Sequence, residues 1–164
     1  MKIVTLYPDR CVGCKNCEYA CAFMQQGDFS KNHAIMQVNY YPQAGICLPL
    51  TCAQCNDAPC MEICPAAAIS RDPETNAVVI DPDRCAGCKM CILACPFGNI
   101  NFDHVKLVSR KCNLCEGDPL CVKTCISGAL VFEEVEDIEE EDLEKPDKYI
   151  ENAIKRTQHS GGGK

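Results

Sequence analysis

Residues 85–96 read CAGCKMCILACP, which sets Cys85, Cys88, Cys91 and Cys95 in the run C-x2-C-x2-C-x3-C with a proline directly behind it. Residues 11–21 give the same run through Cys11, Cys14, Cys17 and Cys21. Two further quartets widen one gap. Cys52, Cys55, Cys60 and Cys64 read C-x2-C-x4-C-x3-C, and Cys112, Cys115, Cys121 and Cys125 read C-x2-C-x5-C-x3-C. Sixteen of the 17 cysteines are used in this way, and every quartet closes with the same Cys-x-x-x-Cys step.

A cubane of iron and sulfide needs four soft sulfur ligands at tetrahedral corners. Three cysteines two residues apart wrap a tight loop around one face; the fourth, three residues on, starts a helical turn that points elsewhere. In two-cluster ferredoxins that fourth cysteine ligates the other cluster, so such quartets work in pairs. Sixteen thiolates at four per cluster predict four [4Fe–4S] clusters and one task, the movement of single electrons. Zinc and disulfides are the competing uses. Zinc sites use two Cys-x-x-Cys knuckles a dozen or more residues apart, which is not this spacing. Disulfide scaffolds belong to secreted chains, and Pro8 and Asp9 interrupt the N-terminus before an apolar stretch of signal length.

The chain has 164 residues, five Phe, five Tyr and no Trp, too few large apolar groups for a sizeable core. The clusters are expected to replace much of it, and the apoprotein to be largely unfolded. The formal charge is −7; each [4Fe–4S]2+ core with its four thiolates adds about −2, bringing the total to about −15, which argues against nucleic-acid binding. The acid is concentrated: residues 133–144 hold nine acidic side chains and no base, whereas residues 1–132 are nearly balanced at 11 basic and 12 acidic. No stretch reaches the ~18–20 apolar residues needed to span a bilayer, so no direct membrane span is expected. The chemistry of exposed thiolates calls for a reducing compartment, and the expected location is cytoplasmic.

The expected fold class is α+β, two nested bacterial-ferredoxin-like units with short strands, short helices and many cluster-binding loops. In the inner unit, residues 52–98, the second quartet leads through Ala66–Ile69 and the turn at Asp72–Asn76 to a strand at Val78–Ile80, and the third quartet follows. Its clusters would be held by Cys52, Cys55, Cys60 with Cys95, and by Cys85, Cys88, Cys91 with Cys64. The outer unit, residues 1–51 and 99–132, is split around it, with strands at Lys2–Leu6 and Ala129–Phe132 that can meet. By analogy its clusters would be held by Cys11, Cys14, Cys17 with Cys125, and by Cys112, Cys115, Cys121 with Cys21. Residues 133–145 read as an acidic linker, 146–158 as a C-terminal helix and 159–164 as a flexible tail.

On all four quartets in their order, including the widened second and fourth, residues 1–132 resemble the four-cluster electron-transfer subunits of modular oxidoreductases. That family serves dimethyl sulfoxide reductase, formate dehydrogenase, formate hydrogenlyase, carbon monoxide dehydrogenase and tungsten aldehyde oxidoreductase systems. The resemblance implies a wire of clusters between a large catalytic subunit and a further redox subunit or ferredoxin, and it agrees with the crossed ligation above. Two features depart from the pattern. Pro65 and Pro96 follow the last cysteine of quartets two and three, whereas Ala22 and Ile126 stand there in one and four. The chain is also short, which favours a soluble partner. The small iron–sulfur subunit of a tungsten aldehyde oxidoreductase is the nearest match, so the expected partner carries a tungsten or molybdenum pterin. Subunits of formate dehydrogenase, hydrogenase or carbon monoxide dehydrogenase, and a free-standing polyferredoxin, are the alternatives. A cluster-based redox switch would need an output domain.

Other residues have plainer readings beside functional ones. Cys47 is a small buried hydrophobe, or else a substitute ligand or redox thiol. Residues 32–56 carry no Asp, Glu, Lys or Arg; they read as a loop packed over the clusters, or as a docking face through Tyr40 and Tyr41. Lys15, Arg84, Lys89 and Lys111 lie beside or within cluster loops, where a cation would raise a potential or simply be surface charge. His33, His104 and His159 have no ligand spacing, and no P-loop, dinucleotide fingerprint or nucleophile arrangement is present. No catalytic site is expected in this chain. In the tail, Tyr149, Ile150, Ala153 and Ile154 would line one helix face, suited to docking on a partner or to self-association.

Overall fold

The computed structural model describes residues 1–135 together with Lys148 and Glu151. Among these residues the chain forms four separate antiparallel strand pairs and four short helices. The strands are β1 (Lys2–Leu6), β2 (Gln37–Tyr41), β3 (Ile46–Leu50), β4 (Ile69–Arg71), β5 (Val78–Ile80), β6 (Asn101–Asp103), β7 (Val108–Arg110) and β8 (Leu130–Glu134). The helices are α1 (Asn16–Gln26), α2 (Pro59–Glu62), α3 (Met90–Ala94) and α4 (Leu120–Lys123). The mixture of short strands and short helices is the expected class.

β1 and β8 come from opposite ends of the described chain and pair in register from Lys2 against Glu134 to Leu6 against Leu130. The Met1 ammonium donates to the Val135 carbonyl at 2.8 Å, and the Tyr7 hydroxyl donates to the Glu133 carboxylate at 2.9 Å. The strand therefore runs past the expected end at Phe132 and takes in Glu133 and Glu134, the first two residues of the presumed acidic linker. The expected helix at 146–158 and the tail lie outside the described residues, apart from Lys148 and Glu151.

The uncharged stretch forms a hairpin where a loop was expected. β2 and β3 pair from Gln37 against Leu50 to Tyr41 against Ile46, around a turn at Pro42–Gly45 in which Gly45 has φ +63°. Its inward residues, Val38 and Leu48, are buried with Ile35 and Met36, and Tyr40 stands exposed. The buried carboxylate of Glu18 on α1 fastens the hairpin by accepting the Val38 N–H at 2.6 Å.

In the first three quartets helix length follows the residue behind the last cysteine, whereas α4 has only four residues although Ile126 follows Cys125. Pro65 and Pro96 cannot continue a helix, and α2 and α3 have four and five residues. Ala22 permits continuation, so α1 runs 11 residues to Gly27, a left-handed cap at φ +74° whose N–H donates to the Phe23 carbonyl at 2.8 Å.

Two buried side chains join the β4–β5 hairpin to the fourth quartet. Gln54, 1% exposed, accepts the Val78 N–H at 2.8 Å and donates to the Cys112 carbonyl at 3.0 Å. The Lys111 ammonium donates to the Val78 carbonyl. Replacing Gln54 by Ala strands a buried donor and a buried acceptor, and should cost about 1–3 kcal/mol of stability. Thermal unfolding of the iron-loaded variant beside the wild type checks this, and an unchanged midpoint would make the two hydrogen bonds idle.

Candidate iron–sulfur sites

Each quartet is built on one backbone device. The residue just before the second cysteine has positive φ in all four: Gly13 at +68°, Gln54 at +57°, Gly87 at +67° and Leu114 at +57°. Lys15 at +63° and Lys89 at +64° then repeat it at the start of α1 and α3. Left-handed residues alternating with ordinary turn residues aim successive backbone N–H groups into one concavity, a nest that favours an anion. The first and third loops are also tight. A Cβ on Gly13 would lie 2.6 Å from Cys47 Sγ, and one on Gly87 would lie 2.5 Å from the Leu107 carbonyl oxygen.

The thiols gather into four groups, each drawing on two quartets. Cys52, Cys55, Cys60 and Cys95 line one small cavity, with Lys111, Ile100 and Phe97 in its wall. Cys64, Cys85, Cys88 and Cys91 line a second, with Ile69, Ile80 and Ser109. In a third group Cys11 lies within electrostatic reach of Cys14 and Cys125, and Cys17 of Cys11 and Cys125. In the fourth, Cys112, Cys115 and Cys121 all feel Cys21. We number these sites by the order of the groups along the structure: site 1 (Cys11, Cys14, Cys17, Cys125), site 2 (Cys112, Cys115, Cys121, Cys21), site 3 (Cys52, Cys55, Cys60, Cys95) and site 4 (Cys85, Cys88, Cys91, Cys64). Neighbouring sites lie within electrostatic reach of one another: Cys121 feels Cys17, and Cys112 feels Cys52.

The protein alone is a poor host for bare thiolates. Burial pushes Cys60 up to about 11 and Cys17 and Cys112 up to about 12, and it raises Cys121 further still. Neighbouring sulfurs add to the effect. Iron would supply the missing positive charge, so loading the sites releases protons. Backbone donors already await the sulfurs. Ile35 and Met36 N–H groups lie 3.3 and 3.5 Å from Cys21 Sγ, those of Ala68 and Asn99 lie 3.4 Å from Cys64 and Cys95, and Leu114 N–H lies 3.4 Å from Cys112. Burial alone would raise Cys125 as well, but N–H groups of Leu130, Ala129 and Ser127 and the Ser127 hydroxyl bring it below its ordinary value. Among the described residues no three His, Cys, Asp or Glu side chains are grouped closely enough for a single metal ion. Soft donors ringing a small cavity with inward N–H groups fit a cubane.

A scan against protein families matches residues 43–135 to a 4Fe-4S dicluster domain and residues 8–24 to a 4Fe-4S binding domain. The chain belongs to the 4Fe-4S dicluster family. Among curated relatives, the polyferredoxin-like subunit of aliphatic sulfonate oxidoreductase from Pyrococcus furiosus is 37% identical over 123 residues, covering 74% of this chain and 70% of that one. The putative electron transport protein YsaA of Escherichia coli is 36% identical over 140 residues, covering 79% and 88%. Among solved structures, a chain of the BamBC active-site complex of benzoyl-coenzyme A reductase matches with a TM-score of 0.50 at 22% identity, over 99% of this chain and 93% of that one, a likeness of fold. The dicluster protein is thus an electron-transport iron–sulfur protein of the ferredoxin-like kind found in oxidoreductase systems.

The remaining candidates fall out as follows. Cys47, opposite Tyr40 in the hairpin, is half-buried against Gly13 and near Cys11, a fifth thiol beside site 1. Lys15 is half-buried, Arg84 and Lys89 are exposed, and Lys89 lies over the Phe102 ring at 4.1 Å. Lys111 alone of the four cations is buried, at 5% exposure. His33 holds Asp28 at 2.8 Å and His104 sits edge-on to Phe102; His159 lies outside the described residues. Ser109 escaped the sequence reading. It is 3% exposed, its N–H lies 3.5 Å from Cys85 Sγ, and it lines the cavity of site 4 with a buried hydroxyl that has no hydrogen-bond partner among the described residues.

The two glycines share a left-handed φ and differ in what a Cβ would meet. Gly87→Ala meets a backbone carbonyl that cannot move aside, and should lose the iron of one site, about four atoms per chain. Gly13→Ala meets only a side chain, so adding Cys47→Ala should restore most of the iron. Iron analysis of the three purified variants checks both, and full iron in Gly87→Ala would contradict the tight-loop account.

Proposed function

We propose that the chain is a relay subunit carrying single electrons through four [4Fe–4S] clusters, one at each site, and that it has no catalytic site of its own. Each cluster would be held by three cysteines of one quartet and the last cysteine of its partner. The crossed grouping of the thiols carries this reading, since each group sets four soft sulfurs together, those of sites 3 and 4 around one small cavity each, and the four groups follow one another. The same crossing supports a division into an inner unit, residues 52–98, nested in an outer one, residues 1–51 and 99–132. The sites follow one another from 1 to 4, each within electrostatic reach of the next or sharing a quartet pair with it. The two exposed thiols, Cys14 and Cys88, belong to the end sites.

Both ends carry exposed apolar side chains. Val12 and Ile126 flank site 1 at 64% and 75% exposure, and Leu93 and Leu107 flank site 4 at 82% and 63%. Bare apolar residues on a cluster loop suit a docking surface that brings a partner's redox centre within tunnelling reach and excludes water. One end would meet a large catalytic subunit with a tungsten or molybdenum pterin, of the aldehyde oxidoreductase type. The other would meet a further redox subunit or a ferredoxin. The Pyrococcus relative, named as a subunit of an oxidoreductase, supports a catalytic partner without selecting its substrate. A formate dehydrogenase, hydrogenase or carbon monoxide dehydrogenase partner would use the same ends.

Anaerobic capture of the protein from its own cell, with metal analysis of the captured material, tests the reading. The expected result is about sixteen iron per chain and a large partner containing tungsten or molybdenum. Full iron with no partner would make the chain a mobile polyferredoxin, and iron near zero with another metal in its place would overturn the clusters themselves.

A further inference from the structure

The stretch from Val108 to Cys112 passes three sites in five residues. Ser109 supplies its N–H to Cys85 and lines the cavity of site 4. Lys111, two residues on and therefore on the same face of the extended chain, lines the cavity of site 3. Cys112 belongs to site 2 and reaches Cys52 of site 3.

Lys111 is out of place as a protein side chain. It is 5% exposed, and its single partner in the fold is the neutral carbonyl of Val78. Among the described residues it forms no ion pair, since the cations paired with carboxylates are Lys31, His33, Arg110 and Lys123. A buried ammonium without a counter-ion is costly, and proteins rarely keep one unless an anion offsets it. The nearest candidate anion is the group that Cys52, Cys55, Cys60 and Cys95 would hold. The charge already acts on that site: it pulls Cys60 down against the burial that pushes it up. The other cations near cluster loops are more open to water, where charge is screened; the low dielectric around Lys111 leaves its field nearly intact.

We propose that Lys111 is the built-in counter-cation of the site 3 cluster and raises its reduction potential. Reduction adds one negative charge to the cluster, and a fixed positive charge beside it stabilises the reduced form over the oxidised one. An interior member of the relay thereby becomes a resting place for the electron between the two ends. Its position between Ser109 on β7 and Cys112, in the segment just past the end of β7, ties this setting to the spacing of sites 2, 3 and 4. The proposal rests on the relay reading above.

The test is an anaerobic, spectroscopically monitored redox titration of the iron-loaded full chain as wild type, Lys111→Met and Lys111→Arg, with iron counted in each. Wild-type protein without iron would sink the relay reading itself. With iron present, Lys111→Met should shift one midpoint of the set to lower potential. The ratio of reduced to oxidised cluster at fixed ambient potential should fall at least tenfold, about 59 mV for a one-electron couple. Lys111→Arg should stay near wild type. Unchanged midpoints in Lys111→Met, or an equal shift in all of them, would overturn the proposal and leave the relay standing. Should Lys111→Met fail to hold its iron, Lys111→Arg decides. Loading with wild-type midpoints assigns the failure to the lost charge; failure of both variants assigns the side chain to packing and overturns the proposal.

Discussion

Three thiols spaced two residues apart can line only one side of a cavity, and the fourth must arrive from another part of the chain. At every site in this protein it arrives from a partner quartet. Cys95 closes the group begun by Cys52, Cys64 the group begun by Cys85, Cys125 the group begun by Cys11, and Cys21 the group begun by Cys112. Each exchange ties two distant loops by two sulfurs. The pairing of β1 with β8 follows from the outermost exchange, because Cys11 and Cys125 cannot approach unless the strands beside them do.

Little else in the chain could enforce the fold. Among the described residues the sheets are all two-stranded, and an isolated hairpin is marginal in water. Three of the four helices within residues 1–135 have four or five residues. The apolar clusters are built from Ala, Val, Ile and the cysteines themselves, with Ile35, Met36 and Leu114 the largest fully buried apolar side chains. Small scaffolds of this kind depend on staples, and metal-binding free energy becomes folding free energy. The raised thiol pKa values carry the same message from the electrostatic side. Burial holds these sulfurs as neutral thiols until a cation is added, so iron loading would displace their protons.

The parts of the fold that were legible in the sequence are those set by covalent spacing. The quartets, the turn after Cys64, the strand at Val78–Ile80 and the meeting of Lys2–Leu6 with the strand ahead of the acidic run could all be read along the chain. The β2–β3 hairpin was not. Pro42 and Pro49 interrupt the alternation that marks a strand, and lack of charge says only that a segment is covered. The β6–β7 hairpin was missed because each strand has three residues, too few for a period to show, although Asp103-His104-Val105-Lys106 holds a turn in which the Asp103 carboxylate accepts two N–H groups at 2.9 Å. Lys111 looked like Lys15, Arg84 and Lys89 on paper. Only the packing of β7 between two sites buries it, and burial is a property of the assembled fold. Gln54 is similar: a non-glycine residue at positive φ is tolerated there because its side chain satisfies two buried backbone groups.

The account turns on crossed ligation at four separate sites. Diffraction at the iron absorption edge from anaerobically grown crystals of the iron-loaded protein tests it most directly. It should reveal four distinct iron centres in a row, each bound by three sulfurs of one quartet and the last sulfur of its partner. Iron centres each enclosed by all four cysteines of a single quartet, or single metal ions in place of clusters, would contradict it.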